Sequence, residues 1–259
     1  MSKKSNLIIG LIVIIIILGV VYYYKKSPKI APTNPTPVAV EETQKTMVTL
    51  ATSTPYAVVT GEYPVFSNAS KDFNQKMAEA VNKAIADHIK FSEENWKARF
   101  ETATPSEGVT KTPNEKDKFP IQIGTKVIRN DADVISLVIG IYEFSGGAHG
   151  GETIMTFNYN VKEQKEITLS DITSGDPTFL KKLSTRSRAL LRAKLSSAAQ
   201  VSPEEIDTDM LNAGTEATIA NFSLFTLPAT NKITFYFPEY QVAAYAFGSS
   251  ELTFDLPLK

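Results

Sequence analysis

The chain has 259 residues, with Lys+Arg 27 against Asp+Glu 28 and a formal net charge of −1, so there is no global electrostatic case for nucleic acid. It contains no cysteine and only two histidines, His88 and His149, which excludes disulfides, Cys-ligated zinc, a thiol nucleophile and a multi-histidine metal site. No cofactor and no metal is expected.

Met1–Asn6 reads as a short cytoplasmic tail, too short to fold. Leu7–Tyr24 is an uncharged apolar run bracketed by Lys3-Lys4 and Lys25-Lys26. About 18 residues at ~1.5 Å rise cover roughly 27 Å, near the hydrocarbon thickness of a bilayer. A helix satisfies its backbone polar groups internally and can sit in lipid. Tyr22, Tyr23 and Tyr24 close the run where an aromatic belt belongs. With no small-residue cleavage site after it, the run reads as an uncleaved transmembrane anchor over 7–24 rather than a removed signal peptide. The flanking lysines, Lys3 and Lys4 against Lys25, Lys26 and Lys29, are too evenly matched to fix its orientation. Residues 25–57, with Pro28, Pro32, Pro35, Pro37 and Pro55 among Thr, Ala and Val, read as a Pro/Thr-rich linker. That composition favours extended, polyproline-like spacing of a body from a surface.

About 200 residues remain, enough for a sizeable core. Val58–Phe66 reads as an opening strand interrupted by Gly61 and Pro64. Phe73, Met77, Val81, Ala84, Ile85, His88, Trp96 and Phe100 fall near one helical face and predict a long helix over about 70–100, with a break near Ser92. Thr102–Lys118 is polar and reads as a loop, in which Glu107, Glu115 and Asp117 alternate with lysines and offer no glycosidase-like carboxylate pair. Ile121, Ile123 and Val127 alternate as a half-buried strand. Val134–Phe144 is apolar on both faces, as at the centre of a covered sheet. Thr153–Val161 places Met155, Phe157, Tyr159 and Val161 on one face, and the Ser-Gly-Gly-Ala-His-Gly-Gly turn joins it to the preceding strand as a hairpin. A second helix is outlined over 177–199. Ser202-Pro203-Glu204-Glu205 opens a short third helix to about Leu211 as a capping box, and Ile233–Phe237 and Glu251–Leu256 close the chain as strands. The fold class is therefore α+β, antiparallel hairpins packed with one long and one shorter helix after the single N-terminal transmembrane helix.

Candidate contact residues gather in two places. His149 lies among Gly146, Gly147, Gly150 and Gly151; such a loop lets a backbone approach a ligand closely, or lets the imidazole pin a tight hairpin. Tyr240, Tyr245 and Phe247 beside Gly248 form either a carbohydrate platform or the packing of a closing segment. His88, on the apolar stripe, reads as a satisfied core histidine. Lys181, Lys182, Arg186, Arg188, Arg192 and Lys194 share one helix, on which Lys181, Arg188 and Arg192 are spaced to form a stripe, as a solvated face or a contact for anionic polymer or headgroups. Such a stripe would repel a basic partner docking there.

Tyr142-Glu143-Phe144-Ser145-Gly146-Gly147-Ala148-His149-Gly150, then Phe157-Asn158-Tyr159-Asn160 and Glu166-Ile167-Thr168-Leu169-Ser170-Asp171-Ile172, resemble a bacterial extracytoplasmic domain pair. The closing Phe235-Tyr236-Phe237 and Tyr240-Gln241-Val242-Ala243-Ala244-Tyr245-Ala246-Phe247-Gly248 continue the likeness. That pair is found in the ectodomain of RsiV-type lysozyme-sensing anti-sigma factors and ahead of the catalytic domain of PdaC-type peptidoglycan deacetylases. The resemblance implies a PdaC N-terminal-like part over 58–172 and an RsiV C-terminal-like part over 173–259. Neither a sigma-binding segment in Met1–Asn6 nor the His and Asp ligand set of a deacetylase is expected here.

The resemblance implies an extracytoplasmic, envelope-facing binding domain, and with the anchor over 7–24 the leading reading is a single-pass protein of the cytoplasmic membrane that binds peptidoglycan or a wall-directed protein such as lysozyme without catalysis. Its ligand-binding residues would be Gly146, Gly147, His149, Gly150, Tyr240 and Tyr245. The alternative is a cell-wall-modifying hydrolase centred on His149; a third reading is an envelope protein of purely structural role. Convergence of His149 with two acidic side chains in one cleft is the feature that separates the first two.

Overall fold

The computed structural model describes residues 45–100, 113–173 and 175–258. The anchor over 7–24, the linker as far as residue 44 and loop residues 101–112 lie outside the described residues. Among the described residues no helix is long and apolar enough to cross a membrane.

The linker reading runs too far. Lys45–Ser53 forms strand β1, paired antiparallel along its whole length with β2, Ala57–Phe66. Most of β1 is exposed, and only Val48 and Leu50 lean on the core. Its backbone ladder holds it at a sheet edge, so its sequence shows little hydrophobic alternation.

Helix α1, Lys71–Phe100, follows. Its first turn is closed by Ser70, whose Oγ accepts the Phe73 N–H at 3.2 Å. The helix runs unbroken through Ser92, which is buried on the same stripe as Phe73, Met77, Val81, His88 and Trp96. This crossover brings β3, Phe119–Asn130, parallel to β2. Parallel neighbours need such a connection, whereas the later strands turn back directly. β4 (Val134–Glu143), β5 (Gly151–Asn160) and the two-residue β6 (Lys165–Glu166) complete a six-stranded sheet in sequential order, antiparallel from β3 onward. α1 covers one face, over Ile121 and Ile123 of β3, Ile135, Leu137, Ile139 and Ile141 of β4, and Tyr159 of β5.

The second half holds a short helix α2 (Leu169–Thr173), α3 (Phe179–Ala199), α4 (Thr208–Gly214), and an antiparallel sheet of β7 (Phe225–Ala229), β8 (Lys232–Phe237) and β9 (Ser250–Asp255). Leu183, Leu191 and Leu195 of α3 join one core with Leu211, Phe222, Phe235, Phe237 and Phe254. Phe222 meets Phe235 and Phe237 edge-on, with centroids at 5.5 and 5.9 Å. The predicted third helix divides in two. The Glu205 carboxylate accepts the Ser202 N–H at 2.9 Å, but closes only a 3-10 turn over Pro203–Glu205. α4 starts afresh at Asp207, which accepts from the backbone of Asp209 and Met210.

The halves meet where β7 crosses the face of the first sheet turned away from α1. The Leu227 N–H donates to Ser136 Oγ at 2.8 Å and the Phe225 N–H to Thr156 Oγ1 at 3.2 Å. Asn158 Nδ2 donates to the Phe225 carbonyl at 2.8 Å, while its Oδ1 accepts from Ser136 Oγ at 2.7 Å. Ser136 and Asn158 are both buried, and this seam satisfies their polar groups. The expectation that β4 is covered on both faces holds only in part. β7 covers Ser136, while Val138, Gly140 and Tyr142 line an open groove.

Candidate functional site at the junction of the two halves

The Gly-rich turn between β4 and β5 is held from beneath by α1. Asn95 Nδ2 donates to the Ser145 carbonyl, and Arg99 reaches the Gly146 carbonyl at 3.5 Å. Gly146 has φ +86°, and a Cβ there would approach the Phe119 ring to 2.8 Å. At Gly150 a Cβ would stand 2.4 Å from the Tyr142 ring. These two glycines are structurally required, for a left-handed backbone and for a close ring approach. Gly147 is not: it has no positive φ, and a Cβ there would meet nothing nearer than the His149 carbonyl at 3.7 Å. The fold thus assigns different parts to glycines that look alike in sequence.

His149 is exposed at the tip. Its Nδ1 lies 2.8 Å from the Gly150 carbonyl. A carbonyl can only accept, so this contact places a proton on Nδ1. The imidazole stacks on Tyr245, with centroids 3.7 Å apart and planes 20° apart. Tyr245 in turn faces Tyr240 at 5.8 Å and 31°. The two candidate clusters, almost a hundred residues apart in the chain, are therefore one site of three adjoining rings.

The segment carrying the tyrosines has a fixed base. Gln241 Nε2 donates to the carbonyls of Gly214 at 2.9 Å and Asn221 at 3.0 Å, and Val242 and Ala243 are buried. Tyr240 itself sits at φ +65° and is 55% exposed. A bulky side chain in the left-handed region is costly, by roughly 1–2 kcal/mol, and such outliers concentrate at functional positions. Desolvation, then the Glu239 charge and the neighbouring Tyr142 and Tyr240 hydroxyls, push the Tyr245 phenol above its ordinary pKa. Tyr142 and Glu239 thus belong to the site although the residue pattern did not select them. The signal for Tyr142 was present, since it has the parity opposite to the buried Ile139 and Ile141.

Two grooves leave this aromatic cluster. The smaller, of 540 Å³, runs between α1 and the Gly-rich turn and is lined by Asp87, Phe91, Glu94, Glu143 and His149 among others. Beside it, buried His88 bridges α1 to the sheet, with Nε2 3.3 Å from the Phe119 carbonyl and Nδ1 3.4 Å from Glu143. The larger, of 780 Å³, lies between the open sheet face and the second half, and Tyr142 and Glu152 stand on its rim. Among the described residues no cluster of three or more His, Asp or Glu side chains is arranged to hold a metal.

The basic helix does not present the stripe its spacing suggests. Arg188 donates to Thr215 Oγ1 at 3.1 Å and to the Asn212 carbonyl at 3.3 Å, and Arg192 reaches the Pro203 carbonyl at 3.4 Å. Arg186 lies over the Phe254 ring at 5.5 Å, and Lys182 pairs with Asp176 at 3.3 Å. These cations tie the second half together; Lys194 instead faces the larger groove.

The body is a mixed α+β unit of two sheets with an aromatic cluster where its halves meet. Its first half, residues 50–152, matches the family model described as deacetylase PdaC, and residues 170–257 match that of a protein of unknown function, DUF3298. The chain carries a PdaC domain followed by a DUF3298 domain. It is similar to the peptidoglycan-N-acetylmuramic acid deacetylase PdaC of Bacillus subtilis, 28% identical over 197 residues. That match takes in 76% of this chain but only 36% of the relative. A DUF3298-family structure from Bacteroides fragilis aligns at TM-score 0.47 and 19% identity, over 82% of this chain and 88% of that one. Another from Pseudomonas aeruginosa aligns at TM-score 0.43 and 17% identity, over the same shares.

Proposed function

We propose that this protein is an envelope-facing binding module that recognises peptidoglycan through the ring cluster of His149, Tyr245 and Tyr240. The observation that carries the reading is the stack itself: two loops from different halves are each anchored at the base and present adjoining rings to solvent. Aromatic faces supply rigid apolar area for the C–H faces of a sugar ring, and the neighbouring polar groups orient it. The peptidoglycan-directed relative supports the choice of polymer, since its likeness spans the body that carries the stack. In this reading residues 7–24 tether the body to the cytoplasmic membrane from its outer side, and the segment after them spaces it toward the wall.

The test is co-sedimentation of the full chain, in detergent, with insoluble peptidoglycan, alongside immobilised lysozyme as the competing ligand. The double substitution Tyr240→Ala, Tyr245→Ala should weaken sedimentation about tenfold or more, because truncating central aromatic anchors removes most of the contact energy. Unchanged sedimentation overturns the site, and retention on lysozyme alone overturns the ligand. Protease added to intact spheroplasts should release the body; full protection would sink the outward topology.

One observation favours a second reading, a wall-modifying hydrolase. His149 shares its groove with Asp87, Glu94 and Glu143, an imidazole and carboxylates lining one cleft. Release of soluble fragments from peptidoglycan by the wild type, abolished by His149→Ala and Glu94→Gln, would favour that reading over binding alone.

A further inference from the structure

Resting on the peptidoglycan reading, we propose that the larger groove holds the stem peptide, an extended chain with free carboxylates, while the sugar occupies the ring cluster. The floor of the groove follows from strand register. Gln122 pairs with Tyr142, Gly124 with Gly140, and Lys126 with Val138 across β3 and β4. These residues alternate with the buried Ile123, Ile139 and Ile141, so they share the face opposite α1. The paired glycines therefore leave bare backbone between a row ending in Tyr142 and a row carrying Lys126. That is a shallow channel across the strands, at the depth of an extended peptide.

The charges around the channel fit such a chain. Lys126 lies on the floor and Lys194 on the wall contributed by α3, both exposed, and neither has a carboxylate partner among the described residues. Glu152, at the Tyr142 end, holds Ser249 Oγ at 2.8 Å, and Glu251 stands on the β9 wall. Burial raises the Tyr236 phenol above its ordinary pKa, against the lowering effect of its hydrogen bond with Thr226 and with a smaller contribution from the Glu251 charge. Two unpaired ammonium groups take carboxylates, and the Glu152 and Glu251 carboxylates take an amine. A disaccharide stripped of its peptide offers no amine and only the one lactyl carboxylate of its muramic acid. Tyr142 joins the channel to the ring cluster, since it lines the groove and its ring lies against Gly150, the neighbour of His149, so one disaccharide-peptide would reach both.

The test titrates the full chain, in detergent, with a disaccharide bearing its stem peptide, with the same disaccharide after removal of the peptide, and with the free peptide. The wild type should bind the intact ligand about tenfold more tightly than the peptide-free one, and the double variant Lys126→Gln, Lys194→Gln should erase that difference while leaving the sugar affinity unchanged. Gly140→Val, which fills the channel and meets only the flexible end of Glu152 at 3.1 Å, should erase it too. Equal binding of both disaccharides, or a preference that survives in these variants with unchanged thermal transitions, overturns the groove but leaves the ring cluster standing. Tyr240→Ala, Tyr245→Ala should weaken both disaccharides together; binding of neither disaccharide by the wild type overturns the peptidoglycan reading, and the groove with it. Binding of the free peptide as tightly as the intact ligand identifies a protein segment as the occupant and overturns the stem-peptide assignment.

Discussion

The two halves of the body are built from different materials. The first buries mainly aliphatic side chains on its sheet, Ile123 paired with Ile141 and flanked by Ile121 and Ile139, under the stripe of one long helix. The second buries phenylalanines, Phe222, Phe225, Phe235, Phe237 and Phe254, whose rings meet edge-on or tilted in a small sheet under shorter helices. The link between them at β7 is made by hydrogen bonds in which Ser136 and Thr156 accept from, and Asn158 donates to, one strand's backbone. The difference teaches where the site comes from. Apolar cores tolerate some slip between layers, whereas directional bonds fix the halves in one geometry, which is what a ring stack drawn from both of them requires.

The comparison would break most visibly at the aromatic core. Phe235→Ala should cost about 3–5 kcal/mol, the range for emptying a buried aromatic site. Trp96 is the only tryptophan and is buried in the first half, so its fluorescence during urea unfolding reports the half that was not mutated. A shifted Trp96 transition shows that the halves fold as one unit; an unmoved one, with loss of overall ellipticity at lower urea, shows that they are separate.

Asn158→Leu addresses the seam directly. It leaves the Phe225 carbonyl and Ser136 hydroxyl short of a partner, at a cost of about 1–3 kcal/mol. Two resolved transitions in place of one, with reduced ligand binding, would show that the seam positions the site. A single transition with full binding would show that other contacts do.

Gly150→Ala and Gly147→Ala sharpen the account of the turn. The first drives a methyl into the Tyr142 ring and should cost about 1 kcal/mol and displace that ring, whereas the second should stay within about 0.5 kcal/mol. Thermal melts of both variants, compared with wild type, decide it; equal melting temperatures would contradict the distinction drawn between these glycines.

The smallest effect is pH-dependent. Burial raises the Asp131 pKa, but the Arg129 hydrogen bond, the Val134 and Asp133 amides and the Arg129 charge outweigh it, and the net shift is downward. A depressed carboxylate stabilises the fold above its unfolded pKa of about 4, and that stability is lost as pH falls through the lower folded value. Asp131→Asn should therefore lower the urea midpoint slightly near pH 6 and by less near pH 2. The effect is small because the side chain is largely solvent-screened. A larger gap at pH 2 than at pH 6 would reverse the sign.

Much of the framework was legible because its signals are local. The apolar stripe of α1, the alternation of β3 and β5, and the turn chemistry between β4 and β5 each need only a few neighbouring residues to be read. β1 was not legible, since an exposed edge strand held by its backbone ladder carries no strong side-chain pattern. The Ser202–Glu205 capping box was legible, but that turn ends at Glu205, where Ile206 is extended, and the helix starts at the Asp207 cap.

Sequence by itself determined that His149 lies in a glycine turn and that Tyr240 and Tyr245 lie in a closing loop. Only the tertiary structure decided that these rings touch, that Tyr142 joins them, that Gly150 rather than Gly147 makes room, and that Arg188 and Arg192 serve neighbouring carbonyls instead of a surface. The physical reason is range. Periodicity and turn chemistry are set within a few residues of chain, whereas a stack between residues 149 and 245 depends on how β7 docks across β4 and β5, through bonds that no local pattern announces.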